Sequence, residues 1–190
     1  MQAFLVSTGI VALAEMGDKT QLLALVLAAR FRKPCSILAG ILVATLANHG
    51  LAGALGAWVT GLVSPQVLRY GLALSFVGMG LWMLVPDKLD AEDAKKATQF
   101  GVFGTTLILY FLAEMGDKTQ IATVMLAAQY GQYLAVVAGT TLGMMLANVP
   151  AVLLGEQIAR KLSMTLVHGA AALIFAVLGV LTLLNVGQLL

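Results

Sequence analysis

The sequence predicts an all-α polytopic membrane protein with six transmembrane helices in two inverted three-helix repeats. Three observations predict it: a composition too apolar for a water-soluble body, six long apolar stretches, and an eight-residue polar sequence that occurs twice. Hydrophobic residues make up 60% of the chain, charged residues 11%, and the mean hydropathy is +0.95. Too little polar surface remains to coat 190 residues in water, so a lipid bilayer is the expected solvent. The net charge of +2 belongs largely to the breaks between apolar stretches and gives no reason to expect nucleic acid as a partner. The lone cysteine, Cys35, excludes an intramolecular disulfide framework and a cysteine-rich metal site; beside Arg32 and Lys33, in an expected loop, it reads as incidental.

The apolar stretches run approximately over 3–29, 35–63, 67–85, 100–128, 133–158 and 164–186. Each can cross ~30 Å of hydrocarbon as a helix. The first lacks the charged start and small-residue cleavage site of a signal peptide, so it is expected to be the first span. The breaks are turn-like or charged: Arg30 to Pro34, Ser64-Pro65, the stretch after Pro86, Gly131-Gln132, and Arg160-Lys161.

Ala14-Glu15-Met16-Gly17-Asp18-Lys19-Thr20-Gln21 recurs unchanged, 99 residues later, as Ala113-Glu114-Met115-Gly116-Asp117-Lys118-Thr119-Gln120. Ala39-Gly40 answers Ala138-Gly139, and Leu46-Ala47-Asn48 answers Leu146-Ala147-Asn148 after a slip of one residue. The expected organisation is therefore a first repeat over 1–86, a charged cytoplasmic linker over 87–99, and a second repeat over 100–190. Three crossings separate equivalent helices, an odd number, so the second copy enters the membrane from the opposite side. Counted by side, Arg30, Arg32, Lys33, Lys88, Lys95, Lys96, Arg160 and Lys161 share one face and Arg69 the other. The positive-inside rule puts the first group in the cytoplasm and both termini outside it. Asp87, Asp90, Glu92 and Asp93 in the linker read as a solvated connection.

Both motifs fall near mid-bilayer, ~18–21 Å up their helices from either surface. An ionised side chain there costs roughly 2.5–3.5 kcal/mol, so such groups must face one another or a wet cavity. On a continuous helix Asp18 and Lys19 share a face with Glu15. Gly17 and Gly116 also allow local unwinding, as at the interrupted helices where secondary transporters place substrate. A bland reading makes Glu15–Lys19 and Glu114–Lys118 i,i+4 pairs that only ease insertion, but it leaves the aspartates over. Glu15, Asp18, Glu114 and Asp117 with Lys19 and Lys118 leave two net negative charges, matching one divalent cation. With neutral oxygens from Thr20, Gln21, Thr119 and Gln120, the site is hard and oxygen-rich, suited to magnesium, calcium or manganese(II) rather than zinc or copper(I). Asn48 and Asn148 either complete the coordination or hydrogen-bond between helices; Met16 and Met115 are expected to pack, His49 to make an interhelical contact, and His168 lies near a boundary.

At these residues the chain resembles the GDT family, once labelled uncharacterised protein family 0016, whose members include bacterial manganese exporters and Golgi manganese and calcium transporters. The family hallmark, a duplicated E-x-G-D-[KR]-[ST] in the first and fourth helices, is met without departure at 15–20 and 114–119. The resemblance covers essentially the whole chain. It implies a secondary-active transporter and not an enzyme, exporting manganese(II) by cation/proton antiport and alternating access, with calcium the alternative cargo. It implies no prosthetic group, a bacterial inner-membrane location, and leaves a homodimer open. It also implies that Glu15, Asp18, Glu114 and Asp117 bind the cation while Lys19 and Lys118 balance charge without it. Three rivals stay in view: an intramembrane aspartyl protease using Asp18 and Asp117, an organic-cation exporter, and a structural membrane subunit. The adjacent lysines count against the first, and the distance in sequence of Trp58 and Trp82 from the motifs against the second.

Overall fold

A computed structural model describes residues 1–85, 100–154 and 164–184, with the side chains of 164–168 excepted. The expected linker 87–99 lies outside the described residues with all its charged groups, as do Arg160, Lys161 and the side chain of His168. Among the described residues there are eight α-helices and no strand: α1 (Gln2–Glu15), α2 (Lys19–Phe31), α3 (Pro34–Thr60), α4 (Pro65–Met83), α5 (Gly101–Glu114), α6 (Lys118–Tyr130), α7 (Tyr133–Leu154) and α8 (Met164–Leu183). The first and fourth apolar stretches are thus each two helices, divided inside the duplicated motif.

Local chemistry explains the ends. Pro34 and Pro65 open α3 and α4, where a missing N–H costs nothing, and the Ser64 hydroxyl accepts the Val67 N–H at 3.4 Å. The helix α6 closes on Gly131 at φ 59°, the left-handed end that glycine adopts freely. Cys35 lies in the first turn of α3 rather than in a loop, and it is exposed.

Two helices, α3 with 27 residues and α7 with 22, are each long and apolar enough to cross a membrane unaided. They pack against each other at the centre. The helices α1 and α2 lie on α7, while α5 and α6 lie on α3, so each divided stretch is held by the long helix of the other half. The helices α4 and α8 pair alongside. Small residues set these distances. A Cβ at Gly139 or Gly143 of α7 would stand 2.5 Å from the Phe4 carbonyl oxygen or 2.6 Å from that of Thr8, so α1 lies directly on α7 backbone. Gly40 of α3 receives α5 in the same manner, against Phe103 and Thr106.

Large apolar side chains cover much of the exterior, while several ionisable groups are buried. Leu51, Leu74 and Leu134 are 64%, 75% and 77% exposed, whereas Glu15 and Glu114 have no exposed surface. An apolar exterior around buried charge is the distribution expected in lipid.

Candidate cation site

The motif divides its helix by forming a turn. Met16 at φ −65°, ψ 116° followed by Gly17 at φ 80°, with the Asp18 N–H donating to the Glu15 carbonyl at 3.1 Å, is a type II turn. Met115 at φ −63°, ψ 121°, Gly116 at φ 72° and the Asp117-to-Glu114 bond at 3.1 Å repeat it. Position i+2 of this turn requires positive φ, which is why glycine stands there. The turn leaves Met115 56% exposed, so it does not pack in the core as the sequence had suggested.

Each turn leaves backbone groups to satisfy inside an apolar body, and the motif glutamine does it. Gln21 Oε1 accepts the Gly17 N–H at 2.9 Å while its Nε2 donates to the Ala147 carbonyl of α7 at 2.9 Å. Gln120 Oε1 accepts the Gly116 N–H at 2.7 Å, and its Nε2 donates to Asn48 Oδ1 of α3 at 3.3 Å. Asn48 in turn donates to the Phe111 carbonyl at 3.1 Å. Asn148 donates to the Met144 carbonyl at 3.0 Å and accepts from the Tyr110 hydroxyl at 3.0 Å. Both asparagine amides are therefore engaged in helix-to-helix bonds.

The turns bring three of the four expected carboxylates into one cluster, with Glu114 outside it. Carboxylate oxygens of Glu15, Asp18 and Asp117 lie within 4.8 Å of one another, and all three residues are buried. Asp18 and Asp117 are the N-cap residues of α2 and α6, yet neither side chain makes a capping bond. Their carboxylates stand where helix dipoles favour negative charge. The Thr20 hydroxyl donates to Glu15 Oε2 at 2.5 Å, and Thr119 lies close to Glu15 from α6. Glu114 lies within electrostatic range of Glu15, Asp117 and Lys19.

The lysines depart from the i,i+4 reading. Because the turn breaks the helical register after Glu15, Glu15 and Lys19 do not share one helix face, and Lys19 reaches across to Asp117 at 2.9 Å. Lys118 donates to the Val85 carbonyl at 2.9 Å, with its ammonium 6.0 Å from the Trp82 ring centre. Trp82, distant in sequence, is thus a neighbour of the second motif. Tyr110 escaped the sequence reading altogether: fully buried, it presents its one hydroxyl proton to the Thr20 carbonyl and Asn148 Oδ1 together, joining α5 to α2 and α7. A phenol four residues before Glu114 in an apolar helix is the signal that marks it.

Chemically the centre offers hard oxygens around a negative core, which suits a divalent cation. The sequence model for "Divalent cation/proton antiporter GDT1" matches residues 3–91 and 102–188. A Vibrio cholerae protein named "Putative manganese exporter" is 49% identical over 96% of this chain and 90% of its own length. Arabidopsis thaliana GDT1-like protein 5 is 29% identical, covering 97% of this chain and 96% of its own. A GDT1-like protein of Synechocystis is 30% identical over 93% of this chain and 96% of its own. No solved structure matches. With buried carboxylates inside an apolar helical body, and with family matches over nearly its full length, this chain is a membrane-type transporter rather than an enzyme and belongs to the GDT1 family of divalent cation/proton antiporters.

Proposed function

We propose that the protein exports manganese(II) in exchange for protons, with Glu15, Asp18, Glu114 and Asp117 as the shared site. The observation that carries this reading is the convergence of Glu15, Asp18 and Asp117 within 4.8 Å, with the Lys19 ammonium against Asp117. In the cation-free protein Lys19 supplies positive charge to the cluster. An arriving divalent cation takes over that role, and so do protons. Loaded forms have a core neutral enough to move between the two access states, whereas a bare carboxylate cluster does not. Antiport follows from competition for one site, and no prosthetic group enters the scheme.

In this reading α1 with α2, and α5 with α6, each cross the bilayer as one interrupted helix; with α3, α4, α7 and α8 they make six crossings. Residues 1–86 and 100–190 are inverted repeats joined by a cytoplasmic linker at 87–99, and both termini lie outside the cytoplasm of a bacterial inner membrane. Arg30, Arg32 and Lys33 at the end of α2 support that orientation. The clustered carboxylates all come from one chain, so a second copy is not required for binding. Manganese is preferred as cargo because the Vibrio cholerae relative is named as a manganese exporter; calcium exchange fits the same oxygen set.

The test is purified protein in liposomes enclosing a manganese-quenched dye under an imposed pH gradient, with Asp18→Asn and Asp117→Asn beside wild type. Proton-dependent quenching by wild type alone supports the reading. Equal behaviour of all three removes the carboxylates from the transport path. A calcium dye in the same liposomes decides between the two cargoes.

A further inference from the structure

His49 is fully buried on α3, beside the second motif, and neither ring nitrogen has a hydrogen-bond partner among the described residues. Its Nε2 stands 3.6 Å from Glu114 Oε2, beyond hydrogen-bond length. Both oxygens of Glu114 are likewise buried without a hydrogen-bond donor. Leaving one such group unsatisfied costs about 1–3 kcal/mol, and a facing pair of them calls for a partner such as water or an ion. Two donors on one metal ion, through bonds of about 2.0–2.6 Å, lie about 2.8–3.7 Å apart at right angles. The imidazole and carboxylate already have that spacing.

The first motif has no equivalent. Asn48 answers Asn148, so the position matching His49 is Val149, which offers no donor. Near Glu15 the available partner is instead the Thr20 hydroxyl, 2.5 Å from Oε2. The two motifs are identical in sequence, yet their glutamates face different neutral groups. We propose that His49 is a specificity-determining ligand: its Nε2 joins Glu114 on the transported cation and tilts an oxygen-rich centre from calcium and magnesium toward manganese(II). Calcium and magnesium select oxygen, whereas imidazole favours transition ions. A single imidazole among carboxylates adds that preference without building the nitrogen- or thiolate-rich set that zinc prefers.

This inference rests on the cation-site reading above, and one spectroscopic experiment separates the two. Full-length protein in detergent receives substoichiometric manganese(II), and pulsed electron paramagnetic resonance reads nitrogen coupling to the bound ion. Imidazole nitrogen coupling in wild type, lost in His49→Gln and His49→Asn, supports the assignment. Calcium competition should then show the manganese preference narrowed by about tenfold in both variants. Manganese held in a manner that depends on Asp18 and Asp117 but without nitrogen coupling overturns the role of His49 alone. Absence of bound manganese overturns both readings. The wild-type spectrum is decisive even where a variant fails to fold.

Discussion

The ammonium of Lys19 stands 2.9 Å from the carboxylate of Asp117, so a charge from the first motif completes the second. Lys118 of the second motif donates to the Val85 carbonyl just past the end of α4.

Removing the Lys19 charge leaves Asp117 with less compensation in the cation-free protein. Lys19→Gln is expected to destabilise that form by roughly 1–3 kcal/mol, below the full cost of breaking a deeply buried pair because Lys19 is partly exposed. Added manganese should recover more melting temperature in the variant than in wild type. A thermal-shift series with and without the ion reads this directly, and an equal rise in both proteins would contradict the role given to Lys19.

Gly116 has open space where a Cβ would be placed, so only its φ of 72° opposes substitution. Gly116→Ala should cost about 1–2 kcal/mol, and Gly116→Asn less, because asparagine tolerates the left-handed region. Ranking the two by denaturant or thermal stability checks whether the turn, rather than packing, is what glycine provides.

Gln120 and Asn48 bond each other across the halves, whereas Gln21 bonds Ala147 on the opposite side of the centre. A double-mutant cycle of Gln120→Leu with Asn48→Leu should show an interaction energy of at least about 0.5 kcal/mol. Gln21→Leu with Asn48→Leu should be additive. Additivity in both cycles would mean that the cross-half bond contributes nothing measurable.

A methyl group at Gly143 would meet the backbone of α1 at 2.6 Å, while one at Gly78 of α4 meets nothing within 4 Å. Gly143→Ala should therefore cost about 1–3 kcal/mol by overpacking and displace Glu15, weakening manganese binding. Gly78→Ala should be neutral or stabilising by up to about 1 kcal/mol through helix propensity. Comparable losses at the two positions would show that close approach of α1 to α7 is not the issue.

Tyr110→Phe deletes the donor shared by the Thr20 carbonyl and Asn148. The expected loss is about 1–3 kcal/mol of stability, with weaker manganese binding because Thr20 itself holds Glu15. Calorimetric titration of manganese into the folded variant measures the second effect separately.

Composition and periodicity were enough to foresee an all-helical body with an apolar exterior, because the burial preference of each side chain is a local property. That charged groups of the two motifs converge was legible for the same reason: charges that cannot face lipid must face each other. Even the division of the helix was readable at Gly17 and Gly116, since positive φ is a property of glycine itself. Which partner each group takes was not. Lys19 with Asp117, Gln120 with Asn48, Tyr110 with Thr20 and Trp82 with Lys118 join residues far apart in the chain. Those pairings depend on how α1 and α2 pack on α7, and α5 and α6 on α3, at spacings set by residues such as Gly139 and Gly143. Sequence alone determined that two polar interruptions must meet in an apolar body; only the tertiary structure decided which charge each carboxylate faces and that His49 stands beside one glutamate and not the other, because packing distances between helices are a collective property of the whole chain.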